Sequence, residues 1–165
     1  MALELNWGHS YQDKQLEDRV LENVRIRELS AADTDKIITI FKSITLQSGD
    51  IDIEEVIADR ALRDTDACFV AEHQRQLVGF IVSYQLTGSF GIQQSAWIPT
   101  FGVDPDFMGR GIGKKLAEAV FNYYKAKGVQ NVYTSVRWYD TDVLSFLRTL
   151  GFDRSEFINL QKRLD

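Results

Sequence analysis

The chain has 165 residues, 44% hydrophobic and 26% charged, which is the size and balance of one soluble globular domain. Its formal net charge of −5 argues against the basic surface that nucleic acid requires, so no nucleic-acid partner is expected. A single cysteine, Cys68, excludes an internal disulfide and any multi-thiolate metal site, and no apolar run approaches the ~20 residues of a membrane span.

The first 23 residues are polar, with Leu16, Val20 and Leu21 spaced for a short amphipathic helix, and form an N-terminal extension to a domain over 24–165. They lack the basic and apolar regions of a signal peptide, so a cytoplasmic location is expected. From Val24 to Leu29 polar and apolar residues alternate as in a half-buried strand. Ser30 with Asp33 resembles a capping box, and Ile37, Ile38, Phe41 and Ile44 mark one face of the helix that follows. A second helix is expected over about Ile53 to Leu62.

Ala67–Glu72 and Leu77–Tyr84 read as two strands joined by the polar turn His73-Gln74-Arg75-Gln76, hence a hairpin. Cys68 falls in the apolar run of the first and reads as a small buried hydrophobe. A loop containing Gly88 and Gly91 leads to a fourth strand, Ser95–Val103. Pro99 lies inside it, and a proline there removes a ladder donor, so a bulge or an unpaired edge is expected. After the turn Asp104-Pro105-Asp106, residues Leu116, Ala117, Val120, Phe121 and Tyr124 recur at helical spacing up to Gly128, a C-terminal glycine cap. Val132, Thr134 and Val136 alternate as a strand. Asp140 caps a helix carrying Val143, Leu144, Leu147 and Leu150, which Gly151 and Phe152 stop. A last strand is expected from Phe157 to Arg163. Strand, two helices, three strands, helix, strand, helix, strand makes a mixed α/β layer with helices on a central sheet.

Between the fourth strand and the long helix stand Gly109, Gly111 and Gly113. A helix N-terminus carries unpartnered amides and a partial positive charge, and glycines let an anion come close to the backbone. The segment is therefore expected to cradle a phosphate or pyrophosphate; the alternative is a tight turn with glycine for packing. A P-loop would need glycine at Met108 and Ser or Thr at Lys115, and a dinucleotide fingerprint would need a third glycine at Lys114 or Leu116. Both spacings fail, which disfavours ATP and NAD.

The run from Val103 to Leu116 resembles the acetyl-CoA signature of the GNAT (GCN5-related) N-acetyltransferases, a Gln/Arg-x-x-Gly-x-Gly/Ala turn after a strand and before a long helix. Asp140 to Phe152, closing on Leu150-Gly151-Phe152, is similar to a second segment of that family, and the order of elements agrees from Val24 to Leu164. The resemblance implies an α/β (α+β) fold of a single domain. Its sheet would be mixed and mostly antiparallel, with about six to seven strands and about four flanking helices, the fourth and fifth strands splaying around the coenzyme A.

It further implies an N-acetyltransferase working by direct attack of an amine, from a small molecule or a protein, on acetyl-CoA in a ternary complex. No metal or membrane would take part, and the chain would act as monomer or homodimer. The cofactor-binding residues implied are Phe101, Gly102, Val103, Met108, Gly109, Arg110, Gly111, Ile112, Gly113, Lys114 and Asp140. Phe101 and Val103 would pair by backbone with the pantetheine arm, and the amides from Gly109 to Lys114 would hold the pyrophosphate. Two positions depart from the pattern. Met108 replaces Gln or Arg, and Leu147 stands where many members carry the tyrosine that protonates the departing thiolate. Tyr139 and Ser145 are the nearby substitutes for that acid. Glu72, with His73 beside it, is the nearest candidate base, and a water chain is the alternative. A binding module without catalysis and a nucleotide-binding protein are the competing readings.

Overall fold

The fourth strand leads into the candidate site. In a computed structural model that describes residues 20–45, 66–87 and 94–164, it spans Ser95–Val103 (β4). It lies fourth in a five-stranded sheet of order β1-β2-β3-β4-β5. The partners are β1 (Val24–Glu28), β2 (Phe69–His73), β3 (Gln76–Leu86) and β5 (Val132–Thr134). The first three interfaces are antiparallel and the last, β4 with β5, is parallel. The expected helix at 53–62, the Gly88 and Gly91 loop and most of the N-terminal extension lie outside the described residues.

The β2–β3 hairpin turns on Gln74 and Arg75, whose φ of 50° and 68° match the left-handed pair that a two-residue turn between twisted strands requires. Strand β3 is buried without interruption from Leu77 to Ser83 because both its faces are covered. On one face Phe80 and Val82 join Ile37 and Ile40 of helix α1 (Thr34–Ile44) in a single apolar cluster. On the other, a Cβ placed on Gly79 would sit 3.2 Å from Leu116 and 3.4 Å from Ile112 of helix α2 (Ile112–Ala126). Helix α2 buries Ile112, Leu116, Ala117, Val120 and Tyr124 along one stripe. It ends at Gly128 (φ +78°), where Val129 N–H bonds back to Tyr124 O and Gly128 N–H to Lys125 O, the paired closure of a glycine-capped helix.

The chain divides into two compact units, Met1–Thr134 and Ser135–Asp165. The second holds helix α3 (Thr141–Thr149), stopped as expected by Gly151 at φ +86° with Phe152 N–H bonding to Leu147 O. The strand expected from Phe157 to Arg163 is not formed, so the sheet has five strands among the described residues rather than six or seven. Apolar residues in that segment adjoin at Phe157 and Ile158 instead of alternating. A strand exists only where a ladder supplies partners for its backbone. Here Phe157, Ile158, Leu160 and Leu164 are 45–87% exposed. Val136 likewise falls beyond β5, which ends at Thr134. Among the described residues no helix is long and apolar enough to cross a membrane.

Candidate functional site

Pro99 sets the geometry of β4. Val82 pairs with Thr100 and Tyr84 with Trp97, so Ser83 of β3 faces two residues, Ile98 and Pro99. This is the bulge that the proline called for, and the missing N–H falls inside it. On its other edge β4 pairs with β5 only through Ala96, Trp97 and Ile98. Thr134 Oγ1 ends that ladder by donating to Ile98 O at 2.8 Å. The ladder stops at Ile98 because β5 itself ends at Thr134. Asp104 N–H donates to Val78 O at 2.9 Å, which turns Asp104 toward β3. By alternation Val103 and Phe101 direct their backbone groups to the edge opposite β3.

The glycine turn follows without a break. Asp104 accepts from Asp106 N–H at 3.0 Å and caps a short 3-10 turn, Pro105–Phe107, that reverses the chain. Gly109 and Gly111 both stand at φ +76°, a conformation that L side chains rarely adopt. Gly111 is the N-cap of α2, and the first helical hydrogen bond runs from Lys115 N–H to Gly111 O at 3.1 Å. The amides of Ile112, Gly113 and Lys114 therefore precede the helix ladder and have no intrahelical acceptor, and a glycine cap offers them no side chain. They converge at the positive end of the helix dipole. Among the described residues a Cβ on Gly109 would meet nothing within 4 Å. This donor set suits a diphosphate, whose oxygens accept several amides at once.

Several side chains around the turn are loosely held. Met108 is 51% exposed, and Lys114 makes only a loose 3.9 Å pair with Glu118. The Arg110 guanidinium lies 5.3 Å from the Phe107 ring centre, and Phe107 packs 5.5 Å from His73 of the hairpin.

The residues from Phe101 to Lys114 thus form one continuous track along β4 and into α2. The acid and base candidates are scattered. Glu72 sits in β2, its carboxylate accepting from Arg27 Nε at 3.0 Å. Tyr139, Asp140 and Ser145 belong to the second unit. There Tyr139 is 72% exposed under the Arg137 guanidinium, and Ser145 Oγ donates to Thr141 O at 2.8 Å. Asp140 starts α3, its carbonyl accepting from Leu144 N–H. Leu147 is buried. Leu21 and Lys115 were not singled out in the sequence as parts of this region. Their only signal was Leu21's place in an amphipathic pattern, yet both meet at the turn: Lys115 Nζ donates to Leu21 O at 2.5 Å.

The model of the acetyltransferase (GNAT) family matches residues 34–152. The chain belongs to that family. Among relatives of this GNAT chain, mycothiol acetyltransferase of Amycolatopsis mediterranei (strain U-32) is 31% identical over 115 residues. The match covers 67% of this chain but 38% of the relative, so this chain corresponds to well under half of that protein. In solved structures the same GNAT fold recurs. The aminoglycoside acetyltransferase meta-AAC0020 from an uncultured soil metagenomic sample, in complex with sisomicin, superposes with a TM-score of 0.73 at 24% identity, over 88% of this chain and 99% of its own. The aminoglycoside N-acetyltransferase AAC(6')-Iy in complex with CoA gives a TM-score of 0.73 at 18% identity, over 85% and 94%.

Proposed function

We propose that this GNAT domain is an acetyl-CoA-dependent N-acetyltransferase that passes an acetyl group to an amine by direct attack within a ternary complex. The observation that carries the reading is the run of β4, past the end of its ladder with β5, into the amide cradle of the glycine turn. One strand, Ser95–Val103, leads from that ladder through the turn to the N-terminal amides of α2. In this reading the amides from Gly109 to Lys114 hold the diphosphate, and the backbone of Phe101 and Val103 aligns the pantetheine arm along that edge of β4. Gly102 keeps that stretch of β4 close against Phe80. The family resemblance adds Asp140 to the residues proposed for coenzyme A.

Bound in this way, acetyl-CoA supplies an activated thioester. A backbone N–H of the bulged strand would meet the negative charge gathering on the carbonyl oxygen. The leaving thiolate, with a conjugate acid near pKa 8.5, needs a proton only late in the reaction. Tyr139, exposed on the second unit, is the candidate acid, with Ser145 next. Glu72, which holds Arg27 through one carboxylate oxygen, is the candidate base, and a water chain is the alternative. A residue that carries the proton loses about 10²-fold or more in rate on Tyr139→Phe, Ser145→Ala or Glu72→Gln exchange.

The acceptor is an amine of a small molecule, a lysine or a peptide N-terminus. The structural neighbours named for aminoglycosides favour a small polycationic amine, and the chain's net charge of −5 would draw one in. Such an enzyme would work in the cytoplasm as a monomer or homodimer.

Incubation with acetyl-CoA and a panel of amines, read by thiol release and mass spectrometry of the products, tests the proposal. An acetylated amine is the expected product. Stabilisation by ATP and not by coenzyme A in a thermal-shift assay would overturn it. The runner-up, a coenzyme A-binding module without catalysis, draws on the buried Leu147 and the Arg27-bound Glu72. Coenzyme A binding with no thiol release across the panel would favour it.

A further inference from the structure

The glycine turn has two unlike sides. Among the described residues nothing would lie within 4 Å of a Cβ on Gly109, whereas a Cβ on Gly111 would lie 3.4 and 3.5 Å from the two methyls of Leu21. Leu21 belongs to the helical turn that precedes β1, in a segment far from the cradle in sequence. The same residue is gripped a second time, because Lys115, in the first turn of α2, donates from Nζ to Leu21 O at 2.5 Å. Asn23 N–H bonds to Val20 O at 3.2 Å and closes the helical turn just there, which keeps the Leu21 carbonyl at its exposed C-terminal end. An ammonium on such a carbonyl is favourable, since a helix C-terminus carries partial negative charge.

The geometry points to Leu21 and Lys115 as positioning residues of the coenzyme A site, through which residues 20–23 become a wall of that site. This rests on the reading of the turn as a diphosphate cradle. Leu21 keeps water from the back of Gly111, and in a drier setting the amides at its front attract a diphosphate more strongly. Lys115 ties Leu21 to the very helix whose amides do the binding, so the N-cap torsion at Gly111 is supported from outside. The ammonium also adds positive charge beside the cradle, which neither Met108 nor the Glu118-paired Lys114 supplies as firmly. Coupling of this kind is reciprocal, so an occupied cradle should in turn hold the segment in place.

The test uses the full chain and coenzyme A itself, in isothermal calorimetry, with the melting temperature of each ligand-free variant alongside. Lys115→Met and Leu21→Asp are expected to raise the Kd for coenzyme A by roughly three- to tenfold, the scale of one charge-assisted hydrogen bond partly transmitted. Lys115→Arg, which keeps a cation within reach of the carbonyl, should restore most of the affinity. Ligand-free melting temperatures of Lys115→Met and Lys115→Arg should agree closely. Unchanged Kd in both Lys115→Met and Leu21→Asp would overturn the inference. So would affinity losses that merely track falling melting temperatures, with Lys115→Arg no better than Lys115→Met. A wild-type chain that does not bind coenzyme A would instead overturn the reading of the turn, and this inference with it.

Discussion

Asp33 takes both terminal nitrogens of Arg27, Oδ1 from Nη2 at 2.7 Å and Oδ2 from Nη1 at 2.8 Å. Its side chain is only 10% exposed, against 29% for Arg27. Ser30 adds its N–H and Oγ to the same Oδ2, at 2.9 and 3.0 Å, while the Nε edge of Arg27 goes to Glu72. One guanidinium thereby joins β1, the turn into α1 and β2. The hydrogen bonds from Arg27 hold the Asp33 carboxyl below its ordinary pKa, working against a burial that would raise it. A carboxylate depressed in the folded state contributes stability above its unfolded pKa of about 3.9, and loses that contribution as pH falls through the lower folded value.

Arg27→Met should therefore destabilise by about 2 kcal/mol, a buried-pair loss discounted for the partly exposed guanidinium. Asp33→Asn should flatten the fall in stability below about pH 4. Urea midpoints measured across that range check both. An Arg27→Met midpoint equal to wild type would show the fork to be idle.

Gly102 is placed where no side chain fits. A Cβ there would come 2.5 Å from Ile44 Cδ1 and 2.9 Å from Phe80 Cε1. The Ile44 methyl is the end of a flexible chain and can rotate aside, but Phe80 is fully buried and cannot. Gly102→Ala should cost about 1–3 kcal/mol by overpacking. Ile44→Val deletes the nearer atom, so the double variant should recover part of the loss, and chemical denaturation of the four chains in a double-mutant cycle measures the coupling. Additive losses would show that Phe80 alone sets the limit.

How much of this was legible beforehand depends on the range over which each feature is determined. The bounds of β4, Ser95 to Val103, follow from local alternation ended by Asp-Pro, and the structure has the same bounds. The stops at Gly128 and Gly151 are equally local, being glycine torsions at helix ends. That β4 would hold a bulge or an unpaired edge was readable from Pro99, and the choice between them was not. The bulge's position against Ser83 was not readable either, because register belongs to the pair of strands. The final strand misled for the same reason, since its composition suits a strand but a ladder must accept it. In the candidate site the glycine turn was legible because its residues are contiguous. The partner of Glu72 is Arg27, 45 residues away, and nothing in the spacing of either announces the other. The grip of Lys115 on Leu21, across 94 residues, was hidden likewise.

Tyr124 lies in the buried face of α2 yet keeps its hydroxyl supplied. It accepts from Ala67 N–H at 3.2 Å and lies 3.1 Å from Ser83 Oγ, which itself donates to Ala67 O. Burial raises the Tyr124 pKa, with the contacts to Ser83 and Ala67 opposing it, so the phenol stays neutral at physiological pH. Tyr124→Phe would leave the Ala67 amide without this acceptor at the entry to β2. A loss of about 1–2 kcal/mol is expected, the penalty for an unmade buried hydrogen bond. Thermal melts would show it, and a Phe variant as stable as wild type would mean that Ala67 finds another acceptor.

Gly109 and Gly111 share a φ of +76° but differ in what surrounds them, and that contrast separates backbone strain from ligand access. At Gly109 an added methyl meets none of the described residues within 4 Å. Gly109→Ala should thus carry only the left-handed strain of about 1–2 kcal/mol and leave the fold intact. Any loss of coenzyme A affinity there reports a methyl standing in the path of the diphosphate. Gly111→Val adds two methyls beside Leu21 as well as the strain, at the residue that caps the helix. It should abolish measurable coenzyme A binding, at least a hundredfold loss or about 2.7 kcal/mol, while circular dichroism retains the helix signal of the folded chain. Calorimetry on both variants decides the matter. Affinity unchanged in Gly111→Val would remove the turn from the site, whatever its likeness to an anion cradle.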